Sequence, residues 1–193
     1  MSVVSKNTEA VLRQFAERVV KAAKLNLGAT RTITYNDGKK KRRRQVSSGK
    51  LKDSIDYNLT TGVHLLMSFT MEDYGKFIDE GVSGTKYKVP GGSRFGFGAS
   101  ASKGEPTRLE SIKKWMKTKN IKARDLKTKS FVKQTDANID KAAFLISRSI
   151  KQKGIPKSEF FQAPFRMEFA KLPEEVLKAV AMDVDEFLRF TVR

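Results

Sequence analysis

Asp79 and Glu80 stand side by side at the end of the segment "YGKFIDEG", residues 74 to 81. Adjacent carboxylates can hold a divalent cation for phosphodiester or hydrolytic chemistry when further acids converge on them. Only Asp56, Glu72 and Asp73 lie in segments able to supply such acids. The plainer reading is that Glu80 caps or pairs locally, with an arginine on a neighbour. His64 is the single histidine and there is no cysteine, so neither a disulfide framework nor a thiolate metal site is available. His64 falls on the outward side of a strand-like stretch and reads as a surface residue. "GGSRFGFG" (91 to 98) is glycine-rich, but it follows no strand and opens no helix with a Lys-Ser/Thr pair, so it lacks the context of a phosphate-binding loop. No nucleophile elbow accompanies the serines. The reading is a non-enzymatic chain with no catalytic, metal or cofactor-binding residues.

The elements that place these residues follow from periodicity. Val63, Leu65, Met67, Phe69 and Met71 alternate with His64, Ser68 and Thr70, which predicts a strand with the first set buried and the second exposed. "IDYNLTT" precedes it across Gly62, predicting an antiparallel hairpin at the centre of a small sheet. Asn7 or Thr8 caps a first helix whose Leu12, Phe15, Val19 and Ala22 share a face, ending near Gly28. "TRTITY" (30 to 35) reads as an edge strand or hairpin arm, and "SSGKLKDSI" (47 to 55) as a short helix burying Leu51 and Ile55. After Pro106, Thr107 and Glu110 form a capping box, with Leu109, Ile112, Trp115 and Met116 as the buried stripe. Asp136 caps a helix carrying Ile139, Ala143, Ile146 and Ile150, and the last helix turns Val176, Val180, Val184, Phe187 and Leu188 inward. The fold class expected is α+β: a single domain over residues 1–193, with a small antiparallel sheet packed by several helices. No apolar run approaches the ~20 residues needed to span a bilayer.

The formal charge of +18 is concentrated in residues 31 to 52 and 103 to 133, which implies an anionic partner, nucleic acid or acidic protein. Lys39, Lys40, Lys41, Arg42, Arg43 and Arg44 form an unbroken basic run, read as a solvated loop tip because like charges repel, and as the candidate contact for DNA or an acidic partner. Residues 81 to 106 form a long loop holding seven of the chain's 13 glycines. Its Tyr87, Arg94, Phe95 and Phe97 are candidate anchors of an arm that docks on a neighbouring subunit. Ordering such a loop costs roughly 1–2 kcal/mol per residue, so it is expected to be mobile in a lone subunit. Lys86, Lys88 and Arg94 are then expected to pair with the acidic 168–186 segment of that neighbour.

The order of the motifs resembles the head–tail connector or tail-completion (neck) proteins of tailed bacteriophages. The residues that carry the resemblance are Ser48, Gly49 and Leu51; Tyr74, Phe77, Ile78 and Gly81; Ile150, Gly154, Ile155 and Pro156; and Phe160 and Phe161. The basic run at 39–44 and the long 81–106 loop depart from the pattern. The resemblance implies a structural virion protein, made in the host cytoplasm, that forms a homo-oligomeric ring of six or twelve copies. Such a ring seats on the portal or its adaptor, meets tail proteins, lines or seals the exit path of packaged double-stranded DNA, and uses no cofactor or membrane. "YGKFIDEG" would be its structural elbow, with Tyr74, Phe77 and Ile78 packed on the sheet. A small, non-enzymatic basic DNA-binding protein is the alternative.

Overall fold

Strand alternation does set the faces of the β-hairpin in the computed structural model, which describes residues 6–44, 49–61, 65–97, 108–125, 128 and 130–191. β3 (Asp56–Thr60) pairs antiparallel with β4 (Leu66–Thr70), Tyr57 opposite Phe69 and Leu59 opposite Met67. Met67, Phe69 and Met71 are half-buried, whereas Ser68 and Thr70 are exposed. Leu65 departs from the expectation and lies exposed; it precedes the ladder, where no pairing holds it to the inner face. Val63 and His64 lie outside the described residues.

The described residues form seven helices and three separate two-stranded antiparallel sheets, an α+β fold. Besides β3 and β4, the elements are α1 (Lys6–Gly28), β1 (Thr30–Thr34), β2 (Lys40–Arg44), α2 (Lys50–Ser54), α3 (Gly75–Glu80), β5 (Val82–Ser83), α4 (Arg108–Thr118), α5 (Asp136–Lys153), β6 (Gly154–Ile155), α6 (Gln162–Phe169) and α7 (Leu172–Thr191). They gather into two compact units, one of residues 1–33, 41–79 and 158–193, the other of 34–40 and 80–157.

In the first unit α1 runs past α2, β3, α6 and α7. Its Ala23 and Leu27 join Leu51, Ile55 and Phe160 in one buried cluster, with Val20, Met71, Ile78 and Phe161 packed against it. Alanine at position 23 brings the helices close, and the larger partners fill the space between. Beside this cluster the rings of Phe15, Phe69, Phe161 and Phe165 meet edge to face or stacked at 5.3–6.3 Å. Of the elbow residues, expected to pack on the sheet, Ile78 packs instead against the cluster that α1, α2 and Phe160 build, Phe77 is half-buried and Tyr74 is exposed. Gly75 is the closer joint: a Cβ there would lie 2.7 Å from Met71 Sδ and 2.8 Å from Leu51 Cδ1.

In the second unit Ile112 and Met116 of α4 pack on Ala143 of α5, flanked by Leu109, Ile121, Ala142, Ile146 and Ile150. Trp115, expected in the buried stripe, is exposed, because the contact with α5 is narrow and centred on Ile112 and Met116. Thr107 of the expected capping box lies outside the described residues. Thr135, rather than Asp136, caps α5: its hydroxyl accepts from the Asn138 N–H at 3.3 Å.

Candidate functional site

The basic run is not a loop tip. The turn is made by the residues before it: Gly38, at a φ of 80°, donates to the Tyr35 carbonyl at 2.8 Å, and Tyr35 donates to Lys39 at 2.8 Å. Asn-Asp-Gly is a strong turn sequence, so Lys39 ends the turn and Lys40–Arg44 run on as β2 beside β1. A two-stranded ribbon sends successive side chains to opposite faces, which spaces like charges apart. Lys39, Lys40, Lys41 and Arg42 are exposed. The turn is anchored within the second unit, where Asn36 Nδ2 donates to the carbonyls of Val82 and Lys153 at 3.2 and 2.8 Å. Asp37 pairs with Lys153 at 3.1 Å, and that ammonium holds the Asp37 carboxyl below its ordinary range.

The 81–106 segment is expected to be an arm, yet its described part is tied to the chain's own backbone. Val82 and Ser83 pair with Ile155 and Gly154. Ser83 donates to Phe95 and accepts from Phe97, at 2.8 and 3.1 Å, while Thr85, Lys86 and Tyr87 donate to the carbonyls of Lys151 and Gln152 at 2.9–3.1 Å. The glycines allow this closeness rather than looseness. A Cβ on Gly84 would sit 2.2 Å from the Gln152 oxygen, and one on Gly154 2.1 Å from that of Val82. Tyr87, Phe95 and Phe97 are half-buried in the subunit itself, with Lys86 Nζ 5.4 Å from the Tyr87 ring and the Arg94 guanidinium 4.9 Å from that of Phe95. Residues 98–106 lie outside the described residues.

The acid pair has two separate structural partners. Glu80 meets Arg94 of the same chain at 2.6 Å. Asp79 is buried at 4% exposure, accepting from the N–H groups of Phe161 and Gln162 at 2.8 and 3.3 Å. It thereby satisfies donors at the start of α6 that the helix cannot satisfy. Asp183 does the same for α1, accepting from the Asn7 and Thr8 N–H groups at 3.0 and 3.1 Å and from the Thr8 hydroxyl at 2.8 Å. Among the described residues no group of three His, Cys, Asp or Glu is placed to share a metal ion. Nor is any described helix long and apolar enough to cross a membrane.

The acidic 168–186 segment, expected to receive a neighbour's lysines, is engaged at home. Arg18 bridges Glu168 and Glu175 at 2.7 Å each. Lys171, with Arg18, draws the Glu168 carboxyl below its ordinary value, and Glu175 raises the Arg18 guanidinium. Glu174 pairs with Lys178 and Asp185 with Arg189, at 2.7 and 2.9 Å.

Two surfaces escape the sequence reading. On α7 four of the five residues expected to face inward, Val180, Val184, Phe187 and Leu188, are exposed, as are Leu177 and Met182; Val176 is half-buried and Ala179 is buried. α7 is apolar around more than half its circumference, and α1 takes the side carrying small Ala179 and the capping Asp183. The other surface, in the second unit, is a groove of about 490 Å³ with Val132, Phe144 and Leu145 among its apolar residues and Arg124, Asp125, Asn138 and Lys141 as its polar ones. Phe131 and Phe144 beside it are exposed, and the Arg124 guanidinium lies 4.4 Å from the Phe131 ring. Phe144 and Leu145 broke the apolar stripe assigned to α5, and that break was the available signal. The second unit holds 21 of the 39 Lys/Arg and seven of the 21 Asp/Glu, a net +14 of the chain's +18. Compared with protein-family models, curated proteins and solved structures, the chain matches none.

Proposed function

We propose that the chain is a structural, non-enzymatic subunit of a ring in the neck of a tailed bacteriophage, joining the portal or its adaptor to the tail around the DNA exit path. The observation that carries this reading is the pair of unlike apolar surfaces, one in each unit. A ring closed by rotation needs two different, complementary patches on every subunit, and exposed apolar surface of this extent ordinarily marks a contact site. The positions behind the motif resemblance support it: Ile78 and Phe161 pack on one core, while Gly81 and Gly154 make the turns at φ 75° and 77°. The +14 unit supplies the charge such a subunit would turn toward DNA or an acidic portal surface.

The same charge favours a second reading, a small basic DNA-binding protein. Native mass spectrometry and electron microscopy of the purified protein, with duplex-DNA titrations across salt, separate the two. Rings of six or twelve subunits are expected. A monomer or dimer that binds duplex DNA with a steep salt dependence would replace the ring reading with the second. Changing Lys40, Lys41 and Arg42 to glutamine should leave the fold intact and weaken assembly or DNA retention in a salt-sensitive way; an unchanged salt dependence would mean the run is merely solvated.

A further inference from the structure

Residues 119–133 carry six Lys/Arg and one acid, Asp125, with Phe131 set among them. Backbone bonds close the described part of this stretch into a short antiparallel finger. Asp125 donates to the Ser130 carbonyl at 2.9 Å and Val132 to that of Ala123 at 3.2 Å, with Arg124 and Phe131 bridged between them. The Gln134 side chain pins the base, its Oε1 accepting from the Ala123 N–H at 2.9 Å. All of these residues belong to the second unit.

Alternation then sorts the side chains. Ala123 is buried and Val132 half-buried on one face. On the other, Lys122, Arg124, Phe131 and Lys133 are exposed, Phe131 at 61%. The Arg124 guanidinium lies 4.4 Å and Lys122 Nζ 6.0 Å from the centre of the Phe131 ring. The same register sets Lys133 opposite Lys122. Among the described residues none of these three cations pairs with a carboxylate. The finger's own acid is engaged at its tip, where Asp125 Oδ1 accepts from the Thr128 N–H and hydroxyl at 2.8 and 3.2 Å. Lys122, Arg124 and Lys133 against Asp125 leave the described finger at +2.

A single exposed ring is ordinary on a protein surface. A ring framed by cations with no acid to neutralise them is a narrower arrangement. It matches what a lone nucleic-acid strand presents: phosphates for the cations, and an unpaired base whose flat face stacks on an aromatic ring or a guanidinium. Alternate residues of a strand stand ~7 Å apart, near the spacing of phosphates along an extended strand. A duplex keeps its base faces inside and could use the cations but not the ring. An acidic peptide would likewise satisfy the cations and leave the ring idle.

We infer that the 121–134 finger is a site for single-stranded nucleic acid, in which an unpaired base stacks on Phe131 beside Arg124 while Lys122 and Lys133 take the flanking phosphates. The site needs neither a ring of subunits nor a duplex.

Fluorescence anisotropy tests it, with a labelled twelve-nucleotide oligothymidylate and a duplex of the same length titrated by the full chain across salt. Wild type is expected to prefer the single strand. Phe131→Ala should weaken that binding roughly 5- to 150-fold, keep the wild-type salt slope because no cation is lost, and leave duplex binding unchanged. Phe131→Tyr retains a stacking face and should bind like wild type. Lys122→Gln and Lys133→Gln should each reduce the slope by about 0.7. These side chains are exposed, so the variants should keep the native circular dichroism. Should Phe131→Ala fail to fold, Phe131→Leu takes its place, with apolar bulk but no stacking face. No binding of oligothymidylate at low salt overturns the inference. So does a Phe131→Ala protein that binds it like wild type, or one that loses single strand and duplex alike. A preference for polyglutamate over oligothymidylate in competition would make the finger a protein-docking face, which also overturns it. Oligouridylate offers the same faces and phosphates, so its rank against oligothymidylate assigns the strand to RNA or DNA with the inference standing either way. Rings in native mass spectrometry without oligothymidylate binding keep the ring reading and sink this site. A monomer that needs Phe131 to hold single strands keeps this site and sinks the ring.

Discussion

The first unit is held by rings and carboxylates, the second by backbone and glycine. In the first, Phe15, Phe69, Phe161 and Phe165 interlock beside a buried aliphatic cluster, and two acids, Asp79 and Asp183, close the starts of α6 and α1. In the second, a core of Ile112, Met116 and Ala143 supports two helices, while residues 82–97 hang on main-chain bonds to the end of α5 and to β6. The contrast bears on where charge can go. A main-chain ladder binds without consuming side chains, so the side chains around it are free to be Lys and Arg. A ring cluster demands the side chains themselves. The net +14 lies in the second unit, and +4 remains for the first.

The sharpest way to break this comparison is to remove a ring. Phe15 is only 2% exposed and meets Phe69 and Phe165 at 6.3 and 5.9 Å. Phe15→Ala should cost about 3–5 kcal/mol by urea denaturation. Hydrogen exchange should quicken in α1, β4 and α6 first. Equal loss of protection throughout α4 and α5 would mean that the two units are held by one cooperative core, and the contrast would dissolve.

Removing the glycine freedom of the second unit comes next in size. Gly84→Ala forces a Cβ against the Gln152 carbonyl at 2.2 Å, a backbone contact that no rotamer change relieves. The expected cost is about 2–3 kcal/mol, with faster exchange confined to 82–97 and 151–155. Unaltered stability would show that the ladder is not what holds this segment. Because the described part of the segment is bonded to its own subunit, residues 85–95 should be protected in the free protein and not only in an assembly.

What the sequence made legible follows from the same division. Local signals came through: the β3–β4 hairpin from its alternation, α1 from Phe15 and Val19, α2 from Leu51 and Ile55, the ends of α1 and α5 from Gly28 and Gly154. Choices between two apolar faces did not. α7 offers two, and the placement of Asp183 over the start of α1, with the Arg18 bridge to Glu175, selects between them. That contact spans 175 residues of sequence, beyond any window of periodicity. The 81–106 loop misled for a related reason. Glycine signals conformational freedom in a sequence, but Gly84 and Gly154 are spent on close backbone approach. Among candidate site residues, Lys40, Lys41 and Arg42 are exposed as expected, though on a strand, whereas Arg94 already meets Glu80.

The buried carboxylates give a smaller effect that sharpens the comparison. Asp79→Asn keeps the shape but removes a charge that faces the N–H groups of Phe161 and Gln162. A loss of about 1–2 kcal/mol is expected, and Asp183→Asn should cost about 1 kcal/mol. Both should be read by denaturation midpoints. If Asp79→Asn instead left stability unchanged while abolishing a metal-dependent nuclease activity, the acid would be catalytic, and the structural role given to it here would be wrong.

The smallest expected effect is on pH dependence. Glu168 is held below its ordinary value of 4.5 by Lys171 and Arg18. In the unfolded chain it titrates near that ordinary value, so as pH falls the unfolded form takes up a proton that the folded form still refuses. The contribution of Glu168 to stability is therefore complete above 4.5 and is lost as pH drops through the lower, folded value. Asp37, lowered by Lys153 from an ordinary 3.8, follows the same sign in the second unit, starting at a lower pH. Urea midpoints measured between about pH 6 and about pH 3 should fall less steeply for Glu168→Gln than for wild type. The difference should open near the ordinary glutamate value and reach first-unit amides in hydrogen exchange. Asp37→Asn should open its difference later and reach residues 35–39 and 153–155. Curves that coincide for Glu168→Gln and wild type would show that the Arg18 bridge to Glu168 and Glu175 is an exposed pairing of no consequence for the fold, and would leave the first unit to its phenylalanines and caps alone.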